Sequence, residues 1–482
     1  MRNKIINHLP SMLKARNRRP KVIDYEAFSL HIPPHVEAKL KGKSFLIRTF
    51  GCQANIRDEE SMAGLLVAAG MSRTEELSEA SVIILNTCAI RENAEHKLFG
   101  QVGNLKALKR ANKDLIIIIS GCMVQQESAL LKLQKSYPQV DIFMGTNSIH
   151  KLLGLLDLNI EHNKKVFDIT SDDITIYEDV PTKRIAAHKA FVNITYGCDK
   201  FCTYCIVTYT RGKERSRRPA DILNGCKIIG NSGYQEITLV GQNVNAYGLD
   251  LKDGTTFSYI LEEVAKLGIP RLRFITSHPW NFDDQIIEVI AKYPNIMKKI
   301  HLPLQSGSDE ILRLMGRRYT VSDYLTLVNK LRTKMPDIAL TTDIIVGFPN
   351  ESEAQFAETL KVVEKVEYAS AFTFIYSPRS GTPAARMEDN VTKEEKSERF
   401  NRLKVLVDKQ TEVDAKKYLH KELDVLVDGA SKKDRMVLSG YTESDKIVHF
   451  RGPRSLVGKI VKVKIIEAKT FALTGELISG QN

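Results

Sequence analysis

Three short apolar runs, residues 44–51, 81–87 and 115–121, each lead into a cysteine: Cys52, Cys88 and Cys122. The runs are rich in β-branched residues, too short for ordinary helices, and separated by helix-like segments. That is the pattern of strands buried on both faces of a parallel sheet. Helix-like segments at 58–69 and 94–111 separate them and supply the crossovers that parallel strands need. Open α/β sheets place their ligands at the carboxyl ends of the strands. The pattern therefore predicts an N-terminal α/β domain with three cysteines along one edge. Any one of these cysteines alone reads as a small core residue; three repeats of strand followed by cysteine argue for a shared site. Cys226 differs, lying at helical spacing with Ile222, Leu223 and Ile229, and reads as packing.

A second constellation is denser. Cys198, Cys202 and Cys205 fall within eight residues. Thiolates at that density suit a soft metal centre, and three of them hold three irons of a four-iron cubane while leaving the fourth open. Structural zinc asks for four ligands in two close pairs, and no second pair of cysteines or histidines lies nearby. His188, ten residues before Cys198, is a poor candidate. Three thiols on one loop also have no even disulfide pairing. A zinc site and plain core packing stand as the alternatives.

Strand-like runs at 190–194, 236–240, 272–275, 299–302, 338–346 and 370–375, with helical segments between them, predict an incomplete parallel (β/α)6 barrel. Its carboxyl mouth gathers the cysteine loop, Gly241-Gln242-Asn243-Val244, Gln305-Ser306-Gly307-Ser308 and Gly347-Phe348-Pro349. Each of these loops can equally be a turn or barrel packing. After a charged helix over 392–417, short β-type runs at 423–427, 436–439, 447–450, 456–466 and 471–477 predict a small β-barrel. Its excess of Lys and Arg, with Phe450 and Phe471 as stacking platforms, suits single-stranded RNA, against the plain reading of a solvated face. The fold class is thus α/β: an N-terminal parallel-sheet domain over 42–165, a partial barrel over 184–415 and a small β-barrel over 416–482. A polar stretch at 168–179 reads as a linker.

Residues 1–41 form a basic flexible extension, free of acids up to Ile23 and with a basic run at 14–21; a mitochondrial transit peptide is the alternative. Over 482 residues no apolar run reaches the roughly 18 residues of a membrane span. Seven cysteines without a disulfide framework fit a reducing, cytoplasmic compartment, and a net charge of +12 suits a polyanionic partner.

The spacing of Cys198, Cys202 and Cys205 resembles that of the radical S-adenosylmethionine superfamily. Adding Gly51-Cys52-Gln53-Ala54-Asn55, Thr87-Cys88-Ala89-Ile90-Arg91-Glu92-Asn93, Gly241-Gln242-Asn243-Val244-Asn245 and Tyr376-Ser377-Pro378-Arg379-Ser380-Gly381-Thr382-Pro383, the chain resembles the methylthiotransferase family from about residue 42 to the end. Its tRNA branch is the most similar. Gln53-Ala54 stand where the branch acting on a ribosomal protein usually has Pro-Lys and the threonylcarbamoyladenosine branch Lys-Val. Ala54 and Thr208 depart from the tRNA branch, which usually has Met and Pro there. The last segment resembles a TRAM domain.

The resemblance implies two 4Fe-4S clusters, one on Cys52, Cys88 and Cys122 and one on Cys198, Cys202 and Cys205, whose open iron chelates S-adenosyl-L-methionine. It implies that Gln242 and Asn243 meet the amino group of that cofactor, Gln305 and Ser306 its ribose side, and Gly347 a close backbone approach. The implied reaction places a methylthio group on carbon 2 of N6-isopentenyladenosine beside the anticodon of a tRNA. One S-adenosylmethionine gives the methyl group and a second is cleaved. A flavodoxin- or ferredoxin-type electron donor, a tRNA anticodon stem-loop as partner and a monomeric state follow from the same resemblance. The competing expectations are a methylthiotransferase acting on a ribosomal protein or on threonylcarbamoyl-modified tRNA, and a non-catalytic iron-sulfur RNA-binding regulator.

Overall fold

The computed structural model describes residues 22–89, 92–170, 174–431, 434 and 436–478; the basic run at 14–21 lies outside them. The described chain packs as two compact units. One comprises the residues up to 185 with 195–217 and 378–385, the other 186–194, 218–377 and the residues from 386 onward.

In the first unit, strands β2 (Ser44–Phe50), β3 (Ser72–Arg73), β4 (Ala80–Thr87), β5 (Ile116–Gly121), β6 (Ile142–Met144) and β7 (Val166–Asp168) form a parallel sheet in the order β3-β2-β4-β5-β6-β7. Successive residues of a strand point to opposite faces, and here both faces are covered. Ile84, Ile118 and Ile142 pack with Leu65 and Leu66 of α2 (Gln53–Ala68) and Leu152 and Leu156 of α5 (Leu152–His162). Ile83, Ile117 and Phe143 pack with Leu98 and Val102 of α3 (Glu92–Ala111) and Leu130 and Leu133 of α4 (Glu127–Ser136). Burial on both sides is why the middles of these strands are apolar at consecutive positions, as in Phe45-Leu46-Ile47, Val82-Ile83-Ile84-Leu85 and Ile116-Ile117-Ile118-Ile119.

Residues 22–41, expected to be part of a flexible arm, are folded. β1 (Tyr25–Ala27) pairs in parallel with β8 (Ile176–Glu178), and α1 (Pro34–Leu40), begun by Pro34, buries Val36 and Leu40 in the sheet core. Each fully buried aliphatic side chain contributes roughly 2 kcal/mol, which offsets ordering one short helix. The stretch 168–179, expected as a linker, contains the end of β7 and all of β8.

In the second unit, β9 (Lys189–Asn193), β10 (Glu236–Val240) and β11 (Arg271–Phe274) form one parallel sheet, and β12 (Lys299–His301), β13 (Ala339–Val346) and β14 (Ser370–Ile375) another. The Leu272 N–H bonds to Asn295 O at 2.8 Å and Leu272 O accepts from Met297 N at 2.9 Å, so β11 continues onto the segment entering β12. The six strands of the partial barrel therefore follow chain order, with Ile237, Leu239, Leu272, Ile300, Leu340 and Ile344 turned to the surrounding helices; Cys226 lies in the same core. Local sequence sets the starts of these helices. Thr320 with Asp323, Ser352 with Gln355 and Thr392 with Glu395 form capping boxes on the helices Val321–Lys334, Glu353–Val366 and Lys393–Lys416.

The strands β15 (Glu422–Ala430), β16 (Val437–Tyr441), β17 (Ile447–Arg451), β18 (Ile460–Lys469) and β19 (Ala472–Leu477) close a barrel in the order β15-β16-β17-β19-β18. Alternation along β17 turns Val448 and Phe450 inward, so Phe450 is a core residue, 2% exposed, and not the stacking platform expected; Phe471 is 69% exposed. This barrel is fastened to the amino ends of the larger barrel's strands. Asp445, in the β16–β17 turn, takes bidentate bonds of 3.0 Å from Arg273 and a further bond from Lys299. Arg271, fully buried, donates to Tyr441 O and Asp424 O at 2.7 Å. Asp428 bonds His188 at 3.0 Å and Lys189 at 2.5 Å. No helix among the described residues is long and apolar enough to cross a membrane.

Replacing Asp445 with Ala takes the carboxylate from Lys299 and leaves Arg273 only Glu236, at 3.5 Å, and should lower the urea-unfolding stability of the metal-free protein by about 3 kcal/mol. The Asp428 carboxyl is drawn from 3.8 to about 2, first by the hydrogen bond with His188 and, against burial, by Lys189. Its contribution is complete above the ordinary value of 3.8 and is lost as pH falls towards about 2. Acid unfolding of D428N should lack that component, which a tryptophan-fluorescence pH titration measures.

Candidate functional site

The sheet of the first unit brings Cys52, Cys88 and Cys122 together. Strands β2, β4 and β5 are direct neighbours, with Phe50 opposite Thr87 and Thr87 opposite Gly121. Their ladder runs on into the cysteines: Cys88 N bonds Phe50 O at 3.0 Å, and Cys122 N bonds Thr87 O at 2.9 Å. Neighbouring strands lie about 4.8 Å apart, so the thiols converge across three adjacent strand ends. Gly121 turns the chain there at a φ of 101°, and a Cβ on it would stand 2.3 Å from Thr87 O. The Asn86 amide ties β4 to the first turn of α2 and to β2, donating to Asn55 O at 2.8 Å and Thr49 Oγ1 at 3.3 Å.

Cys52 caps the N-terminus of α2. Its thiol is drawn down to about 5, first by the hydrogen bond with Cys88 and, against burial, by the Arg211 charge and the backbone N–H groups of Asn55 and Ala54. Burial pushes the Cys122 thiol up, although Arg211 beside it pulls the other way. A soft metal centre binds thiolates, so its binding completes the deprotonation of such a site.

Cys198, Cys202 and Cys205 lie on a loop that is cinched at its base. Thr195–Tyr196 pairs antiparallel with Arg215–Ser216, and Gly197, at a φ of 74°, passes so close to Lys213 O that a Cβ would meet it at 2.1 Å. Inside the loop, Cys198 N bonds Gly212 O at 3.2 Å and Cys205 N bonds Cys202 O at 3.0 Å. The three thiols interact electrostatically, and the Cys198 thiol stands well above its ordinary value, chiefly from burial and then from Glu214. The loop packs with the N-terminal sheet: Ile206 and Tyr209 form an apolar cluster with Ala89 and Cys122, against which Phe201 lies. Arg211 donates from Nε to Cys122 Sγ at 3.2 Å and from Nη2 to Asn55 Oδ1 at 2.5 Å and Asp58 Oδ2 at 2.6 Å. Two triads of soft donors in one unit, with N–H groups and a guanidinium directed at sulfur, fit iron-sulfur clusters in donor type and in the hydrogen bonds that steady such ligands.

Sequence reasoning passed over Arg211, Asn55 and Asp58 as a group. The one signal was the run of polar residues Asp58, Glu59 and Glu60 inside a helix that buries all three.

The five positions expected at the barrel mouth differ from one another. Asn243, just beyond β10, is 1% exposed, and neither amide atom has a hydrogen-bond partner. Its neighbour Asn245 exchanges bonds of 2.7 and 2.8 Å with the His278 backbone, which fixes the loop. Gln242 precedes Asn243 on the same loop. Gln305 sits at a φ of 73°, held by Asp343 O and Ile345 N of β13 at 2.9 Å each. The Ser306 hydroxyl is engaged with Thr359 Oγ1 at 3.4 Å and Ser308 N at 3.3 Å, so the fold already accounts for it. Gly347, at a φ of 67°, gives its N–H to Glu351 at 2.7 Å, and its missing Cβ leaves room for the Lys396 stem. Thr276, β-branched yet at a φ of 65°, bonds Gly241 O at 2.7 Å. Strain of this kind collects at ligand clamps, and here it lies at the carboxyl ends of barrel strands.

Residues 192–363 match the Radical SAM superfamily, residues 44–145 the Uncharacterized protein family UPF0004, and residues 416–478 the TRAM domain. A solved structure with a similar fold, at a TM-score of 0.53 and 12% identity over 71% of this chain and 75% of the other, is that of the radical S-adenosylmethionine methyltransferase TsrM from Kitasatospora setae with tryptophan substrate and a SAM analog bound. Fold and domain content define a radical SAM enzyme with an added α/β domain and a terminal TRAM barrel; S-adenosylmethionine and an iron-sulfur cluster are the cofactors of that class.

The tRNA-2-methylthio-N(6)-dimethylallyladenosine synthases of Geobacillus kaustophilus (strain HTA426) and Bacillus subtilis (strain 168) are 51% and 50% identical to this chain. The alignments cover 98% of the chain in each case, and 88% and 93% of the relatives. The one from Staphylococcus haemolyticus (strain JCSC1435) is 50% identical over 97% of this chain and 91% of its own length. The chain belongs to this family of radical SAM methylthiotransferases.

Because the Asn243 amide bonds nothing among the described residues, Asn243→Ala should leave the urea midpoint of the metal-free protein unchanged or raised. A loss above about 1 kcal/mol would reveal a partner for that amide.

Proposed function

We propose that this chain converts N6-isopentenyladenosine next to the anticodon of tRNA to its 2-methylthio derivative. Working as a cytoplasmic monomer, it would draw electrons from a flavodoxin- or ferredoxin-type protein. The observation that carries the reading is the pair of cysteine triads in one compact unit, Cys122 of one packed against Ile206 and Tyr209 from the loop of the other. When bound, a 4Fe-4S cluster at each triad, with two molecules of S-adenosylmethionine, supplies radical generation at one site and methylated sulfur at the other.

The chain's own residues bind and orient. Cys198, Cys202 and Cys205 hold the cluster that takes the cofactor, and Cys52, Cys88 and Cys122 the one that carries sulfur. The Asn243 carboxamide, buried and unbonded, offers Oδ1 to the cofactor's ammonium group, and Gln242 stands beside it. Gln305 lines the same mouth. The terminal barrel, with Phe471 exposed and Lys and Arg in excess, suits an unstacked RNA loop. An adenosine in such a loop leaves its stack at lower cost than one in a duplex.

The test is anaerobic reconstitution with iron and sulfide, then reaction with reductant, S-adenosylmethionine and isopentenylated tRNA, followed by nucleoside mass spectrometry. The expected product is 2-methylthio-N6-isopentenyladenosine. Formation of 5'-deoxyadenosine without it would move the substrate to a ribosomal protein or a differently modified tRNA. Cys202→Ala should abolish both products, whereas Cys88→Ala should keep 5'-deoxyadenosine and lose the methylthio nucleoside. Asn243→Ala should weaken S-adenosylmethionine binding about tenfold, or about 1.4 kcal/mol, by isothermal titration.

A further inference from the structure

Arg211 follows the short helix Val207–Thr210, which begins two residues after Cys205. The residue is 6% exposed. A buried cation is costly to keep unless paired, and Asp58 pairs it at 2.6 Å. That contact alone would account for a structural salt bridge. The remaining direction of the fork is spent on sulfur: Nε points at Cys122 Sγ at 3.2 Å. A neutral thiol is a weak acceptor, so the contact gains strength when the sulfur is a metal-bound thiolate.

Nη2 also reaches Asn55 Oδ1 at 2.5 Å, and Asn55 Oδ1 lies 3.9 Å from Cys52 Sγ. One side chain, borne on the segment that leaves the second triad, thus donates to one sulfur of the first and brings its charge to bear on a second, that of Cys52. The same segment supplies Ile206 and Tyr209 to the apolar cluster around Cys122, and Thr210 O accepts from Thr146 Oγ1 at 2.8 Å.

We propose that Arg211 is a positioning residue of the sulfur-donating centre: its N–H···S bond to Cys122 raises the reduction potential of the cluster there and holds the Cys198–Cys205 loop in register with it. This rests on the reading that Cys52, Cys88 and Cys122 hold a cluster. A donor and a positive charge at a thiolate withdraw electron density from the cluster and favour its reduced state, which carries one more negative charge. Asp58 keeps the guanidinium in place, and Asn55 extends its reach to the start of α2.

The test uses the full chain carrying C198A, C202A and C205A, so that the N-terminal cluster alone reports. After anaerobic reconstitution, iron and sulfide are counted and the midpoint potential is read by a redox titration followed by electron paramagnetic resonance. Adding R211Q should leave the iron content unchanged and move the midpoint to a more negative value. If R211Q does not accumulate as folded protein, R211K is read instead. It keeps a charge beside Asp58 but loses the fork, and a smaller shift in the same direction is expected. In the two-cluster enzyme, R211K should lower the methylthio product formed per 5'-deoxyadenosine about tenfold. An unchanged midpoint at full iron content overturns the proposal, because a merely structural arginine would not move the potential. If the Arg211-bearing parent takes up no iron, the reading of the triad fails first, and the proposal with it.

Discussion

The hydrogen bonds that carry the β2–β4–β5 ladder one residue past its strands fix the positions of Cys88 and Cys122, and the geometry of the first triad depends on them. Sites built on sheet edges are held more tightly than sites on loops, because the strands cannot slide without turning a buried face to water. Both faces of this sheet are buried, so slippage is disfavoured twice over. Gly121 belongs to the same constraint. The chain must leave β5 at a φ of 101° with Thr87 O filling the space of a side chain, which leaves no room for any residue with a Cβ.

The second triad sits on a loop and gains its definition by other means. A two-residue ladder closes the base, Gly197 allows the close crossing at Lys213, and Ile206 and Tyr209 anchor the far side in an apolar cluster. Closing a loop in this way removes much of the conformational entropy that would otherwise blur the position of its ligands. Thr203 O accepts from Ala384 N at 2.9 Å, so the segment 378–385 braces the loop as well.

In the second unit the two ends of the barrel strands are treated in opposite ways. At the amino ends, Arg271, Arg273, Lys299, Lys189 and His188 are matched by carbonyls and carboxylates of the terminal barrel. At the carboxyl ends lie an amide with no partner at Asn243 and two side-chain-bearing residues, Thr276 and Gln305, with positive φ. Ion pairs and hydrogen bonds gather at one rim and unsatisfied or strained groups at the other, which matches the division of stability and function usual in parallel barrels. Keeping a buried amide unbonded costs free energy that a ligand returns when it binds.

Much of this was written locally. The six barrel strands, the capping boxes, the five-stranded terminal barrel and the run of strand, then cysteine, follow from hydrophobic period and from residue types that act on their immediate neighbours. Phe450 and residues 22–41 were misread because burial there is set by strand alternation in a closed barrel and by docking onto a distant sheet. Composition sees neither. The six cysteines were legible as two triads, since their spacing is sequential in one case and tied to strand ends in the other. What the sequence alone left undetermined is which residues serve them: Arg211 reaches Asn55 and Asp58, more than 150 residues earlier in the chain, and Asn243 differs from Ser306 only in whether its neighbours satisfy it. Such partnerships arise when folding brings remote segments into one low-dielectric space, where a charge or an amide must either find a partner or wait for a ligand.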